Sequence, residues 1–283
     1  MDLKALAANI PYSNWLDVRM GPYTISFDMS QKHERLYALR EILGWRHPQA
    51  DIDRALFHAF VRPGDVCIDM GANIGVTAVE MLLAGAAKVV AFEPVAALAR
   101  RLQRLDLGAI ECHPLALSNK TGVVQMMLSQ THNQGHSLDP GMASIFPTVF
   151  GEMTRSERVV STTVDDFFSD NAGDIWKIDV EGVENDVLVG AQRILRSAPP
   201  RVIICESYYD PARLHDELGE AWSAARAVLR KSDYRLVLLP VANAPDEAIY
   251  HHSSPMYVFY RAGVDGLPAG LPNAIVTAWL SSV

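Results

Sequence analysis

Cysteine is scarce in this chain, with three residues among 283. Cys67, Cys112 and Cys205 lie far apart and within predicted strands, a distribution that excludes a disulfide-stabilised scaffold and a cysteine-rich zinc site. We interpret them as small side chains buried in the core of a protein from a reducing compartment.

Two further features are missing from the sequence. It contains no run of about 18 apolar residues that would predict a membrane span, and its first residues lack the cationic region and apolar stretch of a secretory leader. Basic residues are outnumbered by acidic ones, 25 against 33, and they form no stripe suited to a nucleic-acid backbone. We therefore expect a cytoplasmic protein whose partners include neither nucleic acid nor a membrane.

The apolar pattern that is present predicts an α/β fold. Hydrophobic residues make up 49% of the chain, which is enough for a large buried core. Strand-like and helix-like patterns alternate from residue 66 onwards, and this alternation predicts a mostly parallel, doubly wound sheet with helices on both faces. The seven predicted strands cover 66–70, 88–92, 109–113, 174–179, 201–206, 234–239 and 255–260, and the last two form an antiparallel pair.

The chain is predicted to divide into three segments. Residues 1–60 have apolar residues at helix spacing and are expected to form a helical extension, which serves as a lid or as the arm of a homo-oligomer. Residues 61–262 form a nucleoside-binding domain, and its polar insertion at 129–157 is the candidate substrate-side loop. Residues 263–283 form a C-terminal appendage.

The first motif is a glycine-containing turn between a predicted strand and a predicted helix, and the second motif is the acid that follows the next predicted strand. This arrangement builds a nucleoside pocket at the carboxyl ends of the strands in an open α/β sheet. The candidate cofactor-binding residues are Asp69, Gly71, Asn73 and Gly75 in the turn, and Glu93 and Pro94 after the second strand.

Asp69 indicates which nucleoside the pocket takes. A carboxylate at this point repels a diphosphate, but it suits the ammonium and sulfonium groups of S-adenosylmethionine. Asn73 also replaces the second glycine that a close approach of a pyrophosphate requires. Glu93 can accept hydrogen bonds from ribose hydroxyls, a role that fits either kind of cofactor.

The third motif places three acids, Asp179, Glu181 and Glu184, just beyond the apolar strand that starts at Ile175. Like charges this close cost free energy unless a cation compensates them. The candidates are Lys177, the positive centre of the cofactor, a metal ion, and the dipole of the following helix. We assign Asp179 and Glu181 to the catalytic or binding site, whereas Glu184 also fits a plain helix-start role.

Three strings together resemble FkbM-type S-adenosylmethionine-dependent methyltransferases. They are Asp69–Gly75, Ala91–Pro94, and Trp176–Gly182 with Glu184 and Leu188 behind it, and the resemblance covers roughly residues 60–207. It implies the class I methyltransferase (Rossmann-like) fold, with its mostly parallel seven-stranded sheet. It also implies S-adenosylmethionine as the cofactor and methylation of a hydroxyl on a small metabolite, such as a sugar or a polyketide-like acceptor.

The resemblance further implies roles for single residues. Asp69, Gly71 and Asn73 would face the methionine part of the cofactor, Glu93 the ribose, and Leu115, Ala116 and Leu117 the adenine. Asp179 would lie at the strand end nearest the transferred methyl group.

Removal of the proton from the acceptor hydroxyl is less well specified by the sequence. His132 and His136 in the polar loop have a suitable intrinsic pKa for a general base. Asp179 and Glu206 could instead hold a divalent cation, or Glu206 could orient the substrate.

Three other functions remain open at this point. A nicotinamide-dependent oxidoreductase shares the strand–turn–helix start, although Asp69 and Asn73 disfavour it. An aminopropyl transferase also binds a sulfonium nucleoside, and the third motif disfavours it. A noncatalytic S-adenosylmethionine-binding protein could act through its helical extension as an interaction module.

Overall fold

The computed structural model describes residues 14–44, 48–105, 108–128, 155–206, 234–238 and 256–261. Residues 1–13 of the expected helical extension, residues 129–154 of the polar insertion with His132 and His136, and the C-terminal appendage at 263–283 all lie outside these ranges. None of the helices in the described ranges is long and apolar enough to cross a membrane.

The elements alternate between strand and helix through most of the chain. In chain order they are β1 (Trp15–Met20), β2 (Tyr23–Asp28), α1 (Lys32–Leu43), α2 (Pro48–Phe60), β3 (Val66–Met70), α3 (Val76–Leu83), β4 (Lys88–Phe92), α4 (Ala96–Gln103), β5 (Ile110–His113), β6 (Ala116–Leu117), β7 (Gly122–Leu128), β8 (Arg155–Thr162), α5 (Val164–Phe167), β9 (Ile175–Ile178), α6 (Glu184–Val189), α7 (Gln192–Ser197), β10 (Val202–Glu206), β11 (Tyr234–Leu238) and β12 (Met256–Arg261). The seven strands predicted from the alternation correspond to β3, β4, β5, β9, β10, β11 and β12.

The central sheet has the strand order β11-β12-β10-β9-β3-β4-β5. The five strands from β10 to β5 are parallel, and β12 runs antiparallel to both of its neighbours. The chain moves outward in one direction from β3 to β5 and in the other direction from β9 onwards. This reversal leaves a crevice at the carboxyl ends of β3 and β9, where open α/β sheets bind ligands. The predicted α/β class with a mostly parallel, doubly wound sheet is confirmed.

Each face of the sheet is covered by helices because its side chains alternate in direction along every strand. On one face, Cys67, Ile175 and Ile204 pack against Leu56 and Phe57 of α2, and all five are fully buried. The opposite face packs against α6 and α7. Its buried contacts include Ile68, Trp176 and Ile203 of the sheet with Leu188 and Ile194 of the helices.

The N-terminal extension is only partly helical, and the expectation of helix throughout residues 1–60 is wrong. Helices α1 and α2 are present, but β1 and β2 form an antiparallel hairpin before them. Its inward residues alternate, with Val18 and Met20 on one strand and Ile25 and Phe27 on the other, and all four are buried. This period of two is the strand signal, and the short length of each run concealed it.

A second, three-stranded sheet has the order β6-β8-β7 and lies beside the central one. β7 and β8 are antiparallel neighbours, so the polar insertion that connects them leaves and returns at one end of this small sheet. Strand β8 begins at Arg155, so residues 155–157, which the sequence assigns to the polar insertion, belong to this strand instead.

Buried ion pairs attach helices α1 and α2 to the central domain. Arg40 of α1 donates to Asp51 at 2.8 Å and to Glu80 of α3 at 3.0 Å. Arg54 of α2 donates to Glu80 at 2.9 Å and to Glu41 at 2.8 Å. Because Arg40 and Glu80 are both nearly inaccessible to water, each depends on its partners in this network for compensation of its charge.

Replacement of Glu80 by Gln is expected to lower the free energy of unfolding by about 3 kcal/mol, because it removes the buried acid that Arg40 and Arg54 share. Urea denaturation measures this change. The matched control is Glu111→Gln, which removes the exposed ion pair with Lys88 and is expected to cost less than about 1 kcal/mol. Equal losses in the two variants would contradict a stabilising role for the buried network.

Candidate active site

The turn after β3 is pressed against two neighbouring strands. The N–H groups of Gly71 and Ala72 donate to the carbonyl of Phe92 at 3.0 and 2.9 Å. Gly71 has a φ of 90°, and a Cβ at this position would overlap the backbone carbonyl oxygen of Asp179. Glycine is therefore required both for its backbone conformation and for the closeness of the β9 exit. This contact brings the first and third motifs together.

Glu93 joins the second motif to the same turn. Its two carboxylate oxygens accept hydrogen bonds from the N–H of Asn73 at 2.9 Å and from the N–H of Val95 at 2.7 Å. Burial raises the pKa of Glu93 to about 7, and the two backbone donors oppose that rise. Each carboxylate oxygen has a second lone pair that could accept from a ligand. The assignment of Glu93 to ribose hydroxyls stays a prediction.

One face of the central sheet ends in charged side chains at its carboxyl edge. Asp69 of β3 stands in register with Lys177 of β9, and Lys177 stands in register with Ile204 of β10. Asp179 lies two residues beyond Lys177, and Glu206 lies two residues beyond Ile204, so both are on the same face of the sheet. The face of the sheet that packs against α2 is therefore apolar in its middle and ionic at its carboxyl edge, where the crevice lies.

Lys177 lies at the centre of this cluster and is 1% exposed. Its Nζ lies 3.2 Å from Oδ2 of Asp179 and 3.4 Å from Oε2 of Glu206. Burial lowers the pKa of Lys177, but the attraction of Asp179, Asp53 and Glu206 outweighs burial and raises that pKa well above its usual value. Lys177 is thus a permanent ammonium and the cation that compensates the acids of the third motif.

The same geometry bears on the suggested divalent cation at Asp179 and Glu206. The ammonium of Lys177 already lies between these two carboxylates, so a metal ion there would have to displace it. Within the described ranges, no group of three or more histidine, cysteine, aspartate and glutamate side chains has an arrangement that could hold a metal ion.

The carboxylates of the cluster differ in exposure. The side chain of Asp179 is 32% exposed and faces the crevice, whereas Glu206 and Asp69 are buried. Burial raises the pKa of Glu206 well above its usual value, and repulsion from Asp179 adds to this rise although Lys177 opposes it. Burial likewise raises the pKa of Asp69 to about 7 against the attraction of Lys177. Asp179 is the acid of this group that is accessible to a substrate.

The loop after β9 explains the other two acids of the third motif. Glu181 and Gly182 both have positive φ, at 56° and 105°, and they turn the chain sharply into α6. Oε1 of Glu184 accepts from the N–H of Gly182 at 2.9 Å, and burial raises the pKa of this acid to about 7. Glu184 therefore has the structural role at the helix start, while the catalytic role predicted for half-buried Glu181 stays a prediction.

The residues assigned to the adenine have different surroundings. Ala116 and Leu117 are buried in the core, so their backbone would make any contact with a base, whereas Leu115 and Pro94 are half-buried. His113, which sequence reasoning missed, lies between Glu93 and Leu115 because its carbonyl accepts from the N–H of both. Its ring stacks on Phe92 with centroids 5.4 Å apart.

Two residues of the N-terminal extension also reach the charged edge, and sequence reasoning missed both. The negative charges of Asp53, Glu206 and Asp179 add to burial in raising the pKa of Tyr37 above its usual value. Asp53 itself is 8% exposed. The available signal was the position of Asp53 three and four residues before Leu56 and Phe57, on the apolar stripe of α2.

Several solved structures match this chain at low sequence identity. A methyltransferase FkbM from Methylobacillus flagellatus KT is 17% identical with a TM-score of 0.45, and the match covers 91% of this chain and 58% of that one. M. jannaschii TYW2 in complex with AdoMet is 10% identical with a TM-score of 0.44, and 89% of each chain is covered. This chain thus spans less than two thirds of the M. flagellatus protein. No curated protein matches the sequence significantly.

The family is established by the sequence of the domain that carries all three motifs. Residues 69–236 match the methyltransferase FkbM domain, and they make up more than half of the chain. They include the glycine turn, the β4 exit with Glu93, and the β9 exit with Lys177 and Asp179. The chain therefore belongs to the FkbM methyltransferase family.

Proposed function

We propose that this protein is an S-adenosylmethionine-dependent methyltransferase that methylates a hydroxyl group of a small molecule. The observation that carries the proposal is the acidic carboxyl edge of the sheet. Asp69 and Asp179 lie there beside the Gly71 turn, and Lys177 lies between the two strand ends. A cationic sulfonium cofactor suits this edge, whereas a diphosphate would be repelled by it.

The residues present fit such a cofactor. Oδ2 of Asp69 is buried and accepts no hydrogen bond from any described residue, so an N–H donor of a ligand would satisfy it. Gly71 leaves the turn open because it has no side chain, and Glu93 ends the neighbouring strand beside it. Asp69 and the Gly71 turn would hold the methionine part, and Glu93 would accept from the ribose hydroxyls. When bound, S-adenosylmethionine supplies an electrophilic methyl carbon.

The side chains at the edge provide what a hydroxyl acceptor needs. An alcohol is a weak nucleophile at neutral pH, so transfer is faster when a positioned base accepts its proton. Asp179 is the exposed carboxylate at this point, and its Oδ2 is held by the ammonium of Lys177. We assign Asp179 to accept the acceptor's proton and Lys177 to fix its orientation. A sugar or polyketide-like acceptor belongs to this proposal.

Binding of S-adenosylmethionine is the first test of the proposal. Asp69→Asn and Glu93→Gln are each expected to weaken it at least about tenfold, because hydrogen bonds to charged groups contribute about 1.5–3 kcal/mol. Isothermal titration calorimetry on the full chain measures this effect, with the exposed Asp17→Asn as the matched control. Preferential binding of NAD by the wild-type protein, or normal affinity in both variants, would contradict the assigned pocket.

The role of Asp179 is tested by the rate of transfer. Asp179→Asn is expected to keep the affinity for S-adenosylmethionine within about threefold but to slow methyl transfer by about 10²–10⁴, the usual contribution of a general base. Release of S-adenosylhomocysteine with a panel of sugars and polyketide-like alcohols measures the rate. An unchanged rate in this variant would remove Asp179 from the mechanism. Turnover with amine acceptors alone would contradict O-methylation.

A further inference from the structure

Helix α2 brings an acid from outside the matched domain to the charged edge. Leu56, Phe57 and Phe60 of this helix are buried against the sheet, and Asp53 continues the same stripe one turn earlier. The short turn at 62–65 joins α2 to the start of β3. The helix therefore runs back across the sheet, and its first turns lie over the carboxyl ends of the strands.

The position of Asp53 is fixed by the ion network described above. Asp51 and Arg54, on either side of it, are anchored to Arg40 and Glu80. A side chain on such a rigid element keeps one position relative to the sheet. Asp53 is therefore a built part of the crevice wall.

Two buried carboxylate oxygens in this wall have no donor. Oδ1 of Asp53 and Oδ2 of Asp69 accept no hydrogen bond from any described residue, although the two side chains are 8% and 1% exposed. Asp69 lies two residues beyond Cys67 on the strand face that α2 covers, and Asp53 lies one turn before Leu56 and Phe57, which pack in one cluster with Cys67. Burial raises the pKa of Asp69, and the negative charge of Asp53 adds to this rise. The hydrogen bonds of Lys177 go to Asp179 and Glu206 instead. Buried acceptors without donors are rare, and a ligand is one explanation for them.

A primary ammonium group matches this pair. It carries three N–H donors and a positive charge, so it would satisfy both oxygens and reduce the repulsion between the two carboxylates. A neutral or anionic group would leave that repulsion in place. The ligand already proposed for this crevice has one primary ammonium, on its amino-acid part.

We propose that Asp53 and Asp69 together hold the amino-acid ammonium of S-adenosylmethionine, so that the N-terminal extension completes the cofactor site. This inference rests on the proposed function. It adds a cofactor-binding residue that lies outside the matched residues 69–236.

The pH dependence of binding follows from the groups around Asp53. The groups that face it are Tyr37 and Arg40 of α1, Glu80 of α3, Asp69 of β3, Lys177 and Asp179 at β9, and Glu206 of β10. Burial raises the pKa of Asp53 from 3.8 to about 6 against the attraction of Lys177. The ligand prefers the ionised carboxylates, and their population grows with pH. Affinity is therefore expected to rise between about pH 5.5 and 7.5, with protons released on binding.

The test compares three ligands in the wild type and Asp53→Asn by titration calorimetry on the full chain. S-adenosylmethionine and S-adenosylhomocysteine both carry the ammonium, whereas 5′-methylthioadenosine lacks it. We expect Asp53→Asn to weaken the first two at least about tenfold at pH 7.5 and to leave the third unchanged. At pH 6.5, titrations in two buffers of different ionisation enthalpy are expected to show fewer protons released by this variant than by the wild type. The exposed Asp17→Asn is the control and is expected to match the wild type.

Other outcomes overturn the inference. A loss confined to S-adenosylmethionine would place Asp53 at the sulfonium, and a loss for all three ligands would indicate a general structural role. Normal binding of all three by Asp53→Asn would exclude Asp53 from the site, while failure of the wild type to bind S-adenosylmethionine would instead refute the proposed function. The variant is expected to fold, because Asn removes the charge of a buried acid. Ionisation of Asp53, whose pKa is raised from 3.8 to about 6, destabilises the folded state, and this loss grows above about pH 4 and is complete above about pH 6.

Discussion

The arrangement of the site depends on one buried cation. The carboxyl edge of the sheet collects several acids within a few side chains of each other, and such a group would be unstable in a water-poor interior without compensation. Lys177 supplies this compensation from the middle strand, through direct contacts with Asp179 and Glu206. Its buried position also keeps it away from the substrate. The lysine therefore organises the edge and leaves one carboxylate exposed to the crevice.

Most of the fold could be predicted from the sequence because its signals are local. Apolar runs with acids at their ends predict β3 and β9. Because these strands are parallel, their carboxyl ends meet at one edge of the sheet, where Asp69 and Asp179 lie. The hairpin at Trp15–Asp28 was missed because its alternating strands are short and lie next to true helices. Nothing in the described residues tests the two loop histidines.

The side chains that complete the site could not be predicted for a different reason. Asp53 and Tyr37 reach the edge only because α1 and α2 pack over the sheet, and that packing joins residues far apart in sequence. His113 likewise gains its position from backbone hydrogen bonds to Glu93 and Leu115. Local pattern predicts which strand ends are polar, whereas the tertiary structure decides which helix residues face them. The N-terminal segment thus contributes to the site although it lies outside the matched domain.

The overlap that a side chain at position 71 would have with the peptide of Asp179 has a mechanical consequence. The two segments touch backbone to backbone, with no flexible side chain between them that could absorb a movement. A ligand that displaces the glycine turn by a fraction of an ångström must shift the Asp179 peptide by a similar distance. Binding of a ligand at the carboxyl end of β3 thereby changes the position of Asp179 at the carboxyl end of β9.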